Sequence, residues 1–248
     1  GIPQLSVLND TICPGDTTTL FCNLSDTISF SDPTACSTYT VVPIPHAPIT
    51  GSGTNVSLSD DAVTGNLPIG FDFEFFCDTY TQFKISSNGF IFFDLASNAN
   101  GCCSGQNLPN GTAPNNLVAL AWADLNPGSG GNINYFTTGV APNRILVVNF
   151  TNVPRFGGIN NVTGQILLYE GTNYIDVISN SITASGSLTT QGIENSNGTS
   201  AVTVPGRNGS GNWSATNDAF RFAPGISFLF GPLTYNWSPG FAVTSPNS

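Results

Sequence analysis

Two short acidic clusters, Ser59-Asp60-Asp61 and Asp124-Leu125-Asn126, are the groups in this chain best suited to hold a hard cation. Calcium wants oxygen ligands, and Asp, Asn and loop carbonyls supply them. Neither cluster has the spacing of an EF-hand loop or of a nine-residue calcium repeat, so a β-turn or solvated loop is the expected reading of each and cation binding the alternative. Asp60, Asp61, Asp124 and Asn126 are the candidate ligands of a Ca2+ ion; no other cofactor is expected. Glycoside hydrolysis would need two carboxyl groups about 5 Å apart or a little further. Asp124, Glu170, Glu194 and Asp218 could supply them, but their spacing brings no particular pair together, and Glu170 reads as a solvated turn residue.

Nucleophilic catalysis has little to work with. His46 is the single histidine, and any Ser-His-Asp or Cys-His arrangement would have to use it. It stands in the extended connector Pro43-Ile44-Pro45-His46-Ala47-Pro48, where a packing or surface role is expected. The glycine-rich runs at 128–131 and 206–211 open no helix and are read as loops. The chain is expected not to be an enzyme. Trp122 stands in an apolar strand and belongs to the core. Trp213, in Gly211-Asn212-Trp213-Ser214, is the candidate ligand contact, with a packed loop anchor as the alternative.

Six cysteines without zinc-site spacing point to disulfides in an oxidising compartment. Cys13 and Cys22 flank a turn and are expected to pair. Cys36 and Cys77 are then expected to pair with Cys102 and Cys103 in an order left open, with a vicinal Cys102–Cys103 bond as the alternative. The chain begins Gly-Ile-Pro, as expected of a mature product whose signal peptide has gone or of a trimmed fragment.

The elements that position these groups are strands. Only 8% of residues are charged, against roughly 25% in an ordinary soluble protein, and 40% are apolar, with 18 Phe. Five Lys+Arg against 15 Asp+Glu give a net charge of −10, which excludes a phosphate-tracking nucleic-acid binder and an anionic-membrane binder. No apolar run reaches the roughly 20 residues of a membrane helix. Short β-branched and aromatic runs recur between turn clusters. Ser87-Asn88-Gly89 marks one hairpin, residues 137–142 a second and residues 170–173 a third. The fold class is all-β, a sandwich or jelly-roll-like arrangement.

Two resemblances refine this. Leu67-Pro68-Ile69-Gly70-Phe71-Asp72-Phe73-Glu74-Phe75-Phe76, then Ser87-Asn88-Gly89-Phe90-Ile91, Trp122-Ala123-Asp124 and Gly192-Ile193-Glu194-Asn195 follow one another in the order of a nidogen-like extracellular β domain. The resemblance spans residues 36–222 and implies an adhesion or matrix module without a shared catalytic centre. Cys77 stands where that pattern usually has Gly. At the ends, Thr11-Ile12-Cys13-Pro14-Gly15-Asp16 and Tyr235-Asn236-Trp237-Ser238-Pro239 resemble the two halves of a PKD/Ig-like repeat of large secreted Bacteroidota adhesin-like proteins, of the gliding and type IX secretion kind. The implied organisation is residues 1–31 as the first part of an Ig-like module, 32–225 as an inserted nidogen-like β domain, and 226–248 as the incomplete continuation. It implies a secreted, surface-attached module in a repeat array or filament, with a carbohydrate-binding or glycoside-hydrolysing domain as the alternative. Expected partners are neighbouring copies or further repeats, meeting at Phe228, Phe230 and Trp237, and also glycans or surfaces. The same resemblance implies O-glycosylation at Thr11, Thr17 and Thr27; Asn149 and Asn208 stand in N-x-S/T sequons as the eukaryotic alternative.

Overall fold

The computed structural model describes residues 5–7, 20–22, 29–31, 36–158, 160–184, 186–225 and 227–229, and in the four three-residue segments it describes the backbone alone. The chain divides into two compact units, Pro33–Ile226 and the pair Gly1–Asp32 with Ser227–Ser248. β1 (Leu5–Val7) and β2 (Leu20–Cys22) pair antiparallel in the smaller unit, and β3 (Ser29–Ser31) leads into the larger one.

The larger unit is a β-sandwich. Its strands in chain order are β4 (Tyr39–Ile44), β5 (Thr54–Val56), β6 (Leu67–Phe75), β7 (Asp78–Ser86), β8 (Phe90–Phe92) and β9 (Leu117–Trp122). β10 (Asn132–Thr138), β11 (Ile145–Pro154), β12 (Asn161–Tyr169), β13 (Ile175–Thr183), β14 (Thr190–Glu194), β15 (Ala201–Thr203) and β16 (Ser214–Pro224) follow. One sheet has the order β4-β16-β13-β12-β11-β10-β5, the other β15-β14-β9-β8-β7-β6. All their pairings are antiparallel. Among the described residues the helical content is a single 3₁₀ turn at Pro127–Ser129. β17 (Ser227–Leu229) then pairs antiparallel with β3, Ser227 opposite Ser31 and Leu229 opposite Ser29.

β6 shows how the sequence writes the sandwich. Ile69, Phe71, Phe73 and Phe75 are buried while Gly70 and Asp72 between them are exposed, the two-residue period of a strand with one face inward. From the facing sheet Val148, Phe150, Ile166, Leu168, Val177 and Phe222 complete the core. Each such side chain contributes about 1.5–3 kcal/mol when fully removed from water.

The outer faces are also covered, which is why β9 is buried along its whole length. Loop 94–116 lies over Phe90, Phe92, Leu117, Ala119 and Trp122, placing Leu108 among them. It is pinned by Trp122 Nε1 donating to Gly101 O (2.9 Å) and by Lys84 Nζ donating to Ser97 O (2.7 Å). On the opposite face, the connector from β4 to β5 straps across Val147, Leu167, Ile178 and Ala219. Ile49 N donates to Gln165 Oε1 (2.9 Å), and Gln165 Nε2 donates back to Ile49 O (2.7 Å). Gly51 and Gly53 sit where a Cβ would meet the Phe136 ring within 2.6 and 3.1 Å.

Candidate functional site

The Asn88-Gly89 turn between β7 and β8 organises the acidic clusters. Gly89 has φ +83°, and a Cβ there would stand 2.4 Å from Ala121 O, so the turn needs glycine for both conformation and space. Asn88 is fully buried. Its Oδ1 accepts from Leu125 N (2.8 Å), and its Nδ2 donates to Asp61 Oδ1 (2.9 Å) and Asn100 O (3.1 Å). Asn100 Nδ2 in turn donates to Asp61 O (2.6 Å). One amide side chain thus ties segment 59–62, loop 94–116 and the turn after β9.

This brings the two sequence clusters onto each other. Carboxylate oxygens of Asp60, Asp61 and Asp124 all lie within 4.8 Å of one another. Asp60 Oδ1 is buried without a hydrogen-bond partner. Burial, and then the Asp61 carboxylate, push the Asp60 carboxyl above its ordinary range; burial followed by Asp61 and Asp60 does the same to Asp124. Asn126 Oδ1 belongs to the same neighbourhood: it stands 3.0 Å from a Cβ built on Gly128, which itself lies 3.7 Å from Asp60 N. Three crowded oxygen donors with an unpartnered lone-pair atom fit a hard divalent cation of the calcium class. Asp60, Asp61 and Asp124 would hold it, with Asn126 at the margin.

The other carboxylates are disposed differently. Glu170 is not a solvated turn residue, because the turn after β12 folds it back onto Arg144. Arg144 Nε donates to Glu170 Oε2 (2.8 Å), and the Arg144 hydrogen bonds hold the Glu170 carboxyl down at about 2. Asp218 pairs with Arg207, and Asp176 with Arg221 in a two-bond fork. Glu194, fully buried in β14, accepts from Asn110 N (2.5 Å), and burial pushes it up to about 7. His46 lies in the strap with its Nε2 buried and unpartnered.

Trp213 is half buried as a loop anchor. Its Nε1 donates to Thr189 O (3.2 Å), and the Arg207 guanidinium lies 4.9 Å from its ring centroid, on a face a ligand would need. The disulfides correct the expected pairing. Cys36 bonds Cys77, with Cα atoms 4.9 Å apart, because Tyr39 packs on Phe75 and Phe76 and draws the start of β4 onto the turn between β6 and β7. Cys102 and Cys103 bond each other across a cis peptide, in a loop fixed at Gly101 beside Phe90 and Trp122. Their pairing with Cys36 and Cys77 does not form. Cys103 Sγ lies 3.8 Å from Asp61 Oδ2. Cys13, Thr11, Thr17, Thr27, Phe230 and Trp237 lie outside the described residues, and for Cys22 and Phe228 only the strand backbone is described.

Comparison with family models finds a match to a model described as NIDO related, over residues 33–225. The chain belongs to the NIDO-related family. The match runs over the whole sandwich, from just before Cys36 to the end of β16, and includes every residue of the acidic cluster. A NIDO-related domain is of extracellular type and fits a structural or adhesion module. The Cys36–Cys77 disulfide is compatible with that compartment, and no helix among the described residues is long and apolar enough to cross a membrane. Neither the curated proteins nor the solved structures contain a match to this NIDO-related chain.

Asn88 and Asn100 are the site residues that sequence reasoning missed. The Asn-Gly pair signals a turn, and nothing in that signal says that the Asn side chain turns inward.

Proposed function

We propose that this protein is a non-enzymatic adhesion or structural module of a secreted, surface-attached protein, and that a divalent cation of the calcium class completes one loop region of its sandwich. The observation that carries the reading is the convergence of Asp60, Asp61 and Asp124 from segments some sixty residues apart. Such crowding of like charges is unfavourable by itself and becomes favourable when a cation sits among them. Display in a repeat array or filament, in the manner of Bacteroidota adhesin-like proteins, follows from the resemblance of the chain ends to PKD/Ig-like repeats.

The test is calorimetric and thermal titration of the whole chain with Ca2+ and Mg2+, beside Asp60→Asn and Asp124→Asn. Ca2+ is expected to raise Tm by several degrees in the parent, EDTA to reverse the rise, and both variants to lose it. An unchanged Tm at millimolar Ca2+ would remove the cation from the reading. Bead-bound protein tested for homotypic and cell-surface adhesion with and without Ca2+ addresses the adhesive role. The alternative, glycan binding, is supported by a groove of about 280 Å³ walled by Ile44, Pro45, Ala47 and Ile178, with Tyr169, Asp176 and Arg221 as polar groups. A glycan array on the same protein separates the two readings.

A further inference from the structure

The vicinal cystine and the acidic cluster meet at Asp61. Its Oδ1 accepts from Asn88 Nδ2 (2.9 Å), and its Oδ2 lies 3.8 Å from Cys103 Sγ. Cys102 Sγ, Cys103 Sγ and an Asp61 carboxylate oxygen all stand within 4.8 Å of one another. Both cysteines are exposed and Asp61 is half-buried, so the three groups form an open patch of two sulfurs and one oxygen. A tetrahedral ion of the zinc class, with bonds of about 2.3 Å to sulfur and about 2.1 Å to oxygen, spaces a sulfur and an oxygen about 3.6 Å apart. The separation between Cys103 Sγ and Asp61 Oδ2 is already close to that spacing.

The loop that carries the cysteines is held without their bond. Before the pair, Cys102 N donates to Asn100 Oδ1 (2.9 Å), Asn100 Nδ2 donates to Asp61 O (2.6 Å), and Gly101 O accepts from Trp122 Nε1 (2.9 Å). After it, Gly105 N donates to Leu188 O (2.9 Å) and Gln106 O accepts from Thr190 Oγ1 (2.5 Å). A bond between adjacent residues closes no loop of chain, so it restrains the unfolded chain little. The Cys36–Cys77 bond, which spans 41 residues, is the cystine that does so. Opening Cys102–Cys103 therefore leaves the backbone in place and frees two exposed side chains beside a fixed carboxylate.

We propose that reduction of the Cys102–Cys103 bond uncovers a binding site for a thiophilic divalent cation of the zinc class, with the two sulfurs and Asp61 as its protein ligands and solvent in the fourth position. A dithiol reductant delivers two electrons and two protons: the bond between Cys102 Sγ and Cys103 Sγ breaks to two thiols, and the reductant closes its own disulfide. As the cation binds, the two thiol protons pass to solvent and the sulfurs bind as thiolates. Freed of their bond, the sulfurs separate to about 3.8 Å, the spacing of two thiolates on a tetrahedral ion. Thiolate donors select such a cation over Ca2+ and Mg2+, which take oxygen ligands. The oxidised pair offers no thiolate, so the redox state of this loop decides whether the site exists. Neither Asp60 nor Asp124 is a ligand here, so this inference and the calcium reading fail separately.

For the test, the whole chain is treated with a dithiol, desalted under nitrogen and titrated with Co2+ and then with Zn2+. Thiolate ligation of Co2+ gives a near-ultraviolet charge-transfer band. The reduced parent is expected to develop that band, Zn2+ to bleach it, and the oxidised parent to show none. Zn2+ should bind the reduced parent about a hundredfold more tightly than the oxidised one, a difference of about 2.7 kcal/mol. Cys102→Ser/Cys103→Ser keeps every other cysteine and should lose the band, and Asp61→Asn should weaken Zn2+ about tenfold, or 1.4 kcal/mol. A band in the double variant as strong as in the parent would place the metal on other thiols and overturn the proposal. Equal Zn2+ affinity of the oxidised and reduced parent, or no band at all, would overturn it too. Parental affinity in Asp61→Asn would remove Asp61 from the ligand set. Where a variant fails to fold, the oxidised parent against the reduced one carries the test, with zinc-edge X-ray absorption expected to show two sulfur ligands beside oxygen.

Discussion

At Glu194 a fully buried carboxyl stands in β14 with its pKa raised to about 7 from an ordinary 4.5. Between those two values the folded chain keeps a proton that the unfolded chain has lost, so stability falls as pH rises through this window and levels off above about 7. The full difference is of the order of 3 kcal/mol. Glu194→Gln keeps an oxygen acceptor for Asn110 N–H and removes the titration. Urea unfolding between pH 4.5 and 8.5 should show the parent losing stability relative to the variant over that range. Parallel curves would show that Glu194 carries no such cost. None of this was legible in the sequence, where Glu194 is one of four acids named for possible hydrolysis. Its burial is produced by loop 94–116, which arrives from elsewhere in the chain. Asp60, Asp61 and Asp124 were legible as two separate groups. Their meeting was not, because it depends on the inward side chain of Asn88 and not on any local spacing.

Among the elements, the hairpins were read from sequence where a turn residue and a two-residue apolar period coincide. The Ser87-Asn88-Gly89 turn, the β10–β11 hairpin and the β12–β13 hairpin all form where those signals fall. Cystine pairing was misread because it follows packing and not position along the chain: Tyr39 against Phe75 and Phe76 decides it. The Cys36–Cys77 bond closes 41 residues of chain and joins the start of β4, in one sheet, to the β6–β7 turn in the other. Loop-closure entropy gives it about 4 kcal/mol. Cys36→Ser/Cys77→Ser should lower the unfolding free energy by about 2–4 kcal/mol in a denaturant titration, with the secondary-structure CD of the sheets retained. A loss below about 0.5 kcal/mol would mean that aromatic packing alone holds this corner.

For the molecule as a whole, the larger unit has its own core and both its outer faces covered, by loop 94–116 and by the 45–53 strap. Residues 33–226 expressed alone should therefore fold and unfold in one cooperative transition. Its midpoint should lie within about 4 °C of the main transition of the whole chain, equivalent to roughly 1–2 kcal/mol at this size. A molten fragment, with strand CD but no dispersed methyl signals, would show that the ends are part of its core. The β3–β17 pair has a mechanical meaning. Its outer ends are Ser29 and Leu229, and its inner ends, Ser31 and Ser227, lead into and out of the sandwich. Tension applied at Ser29 and Leu229 opens this short ladder from its outer end and peels it one hydrogen bond at a time. While the ladder holds, the force path crosses between β3 and β17 and bypasses the chain that lies between them in sequence. Once it opens, the pull passes into β4 and β16, and the sandwich becomes a link in series.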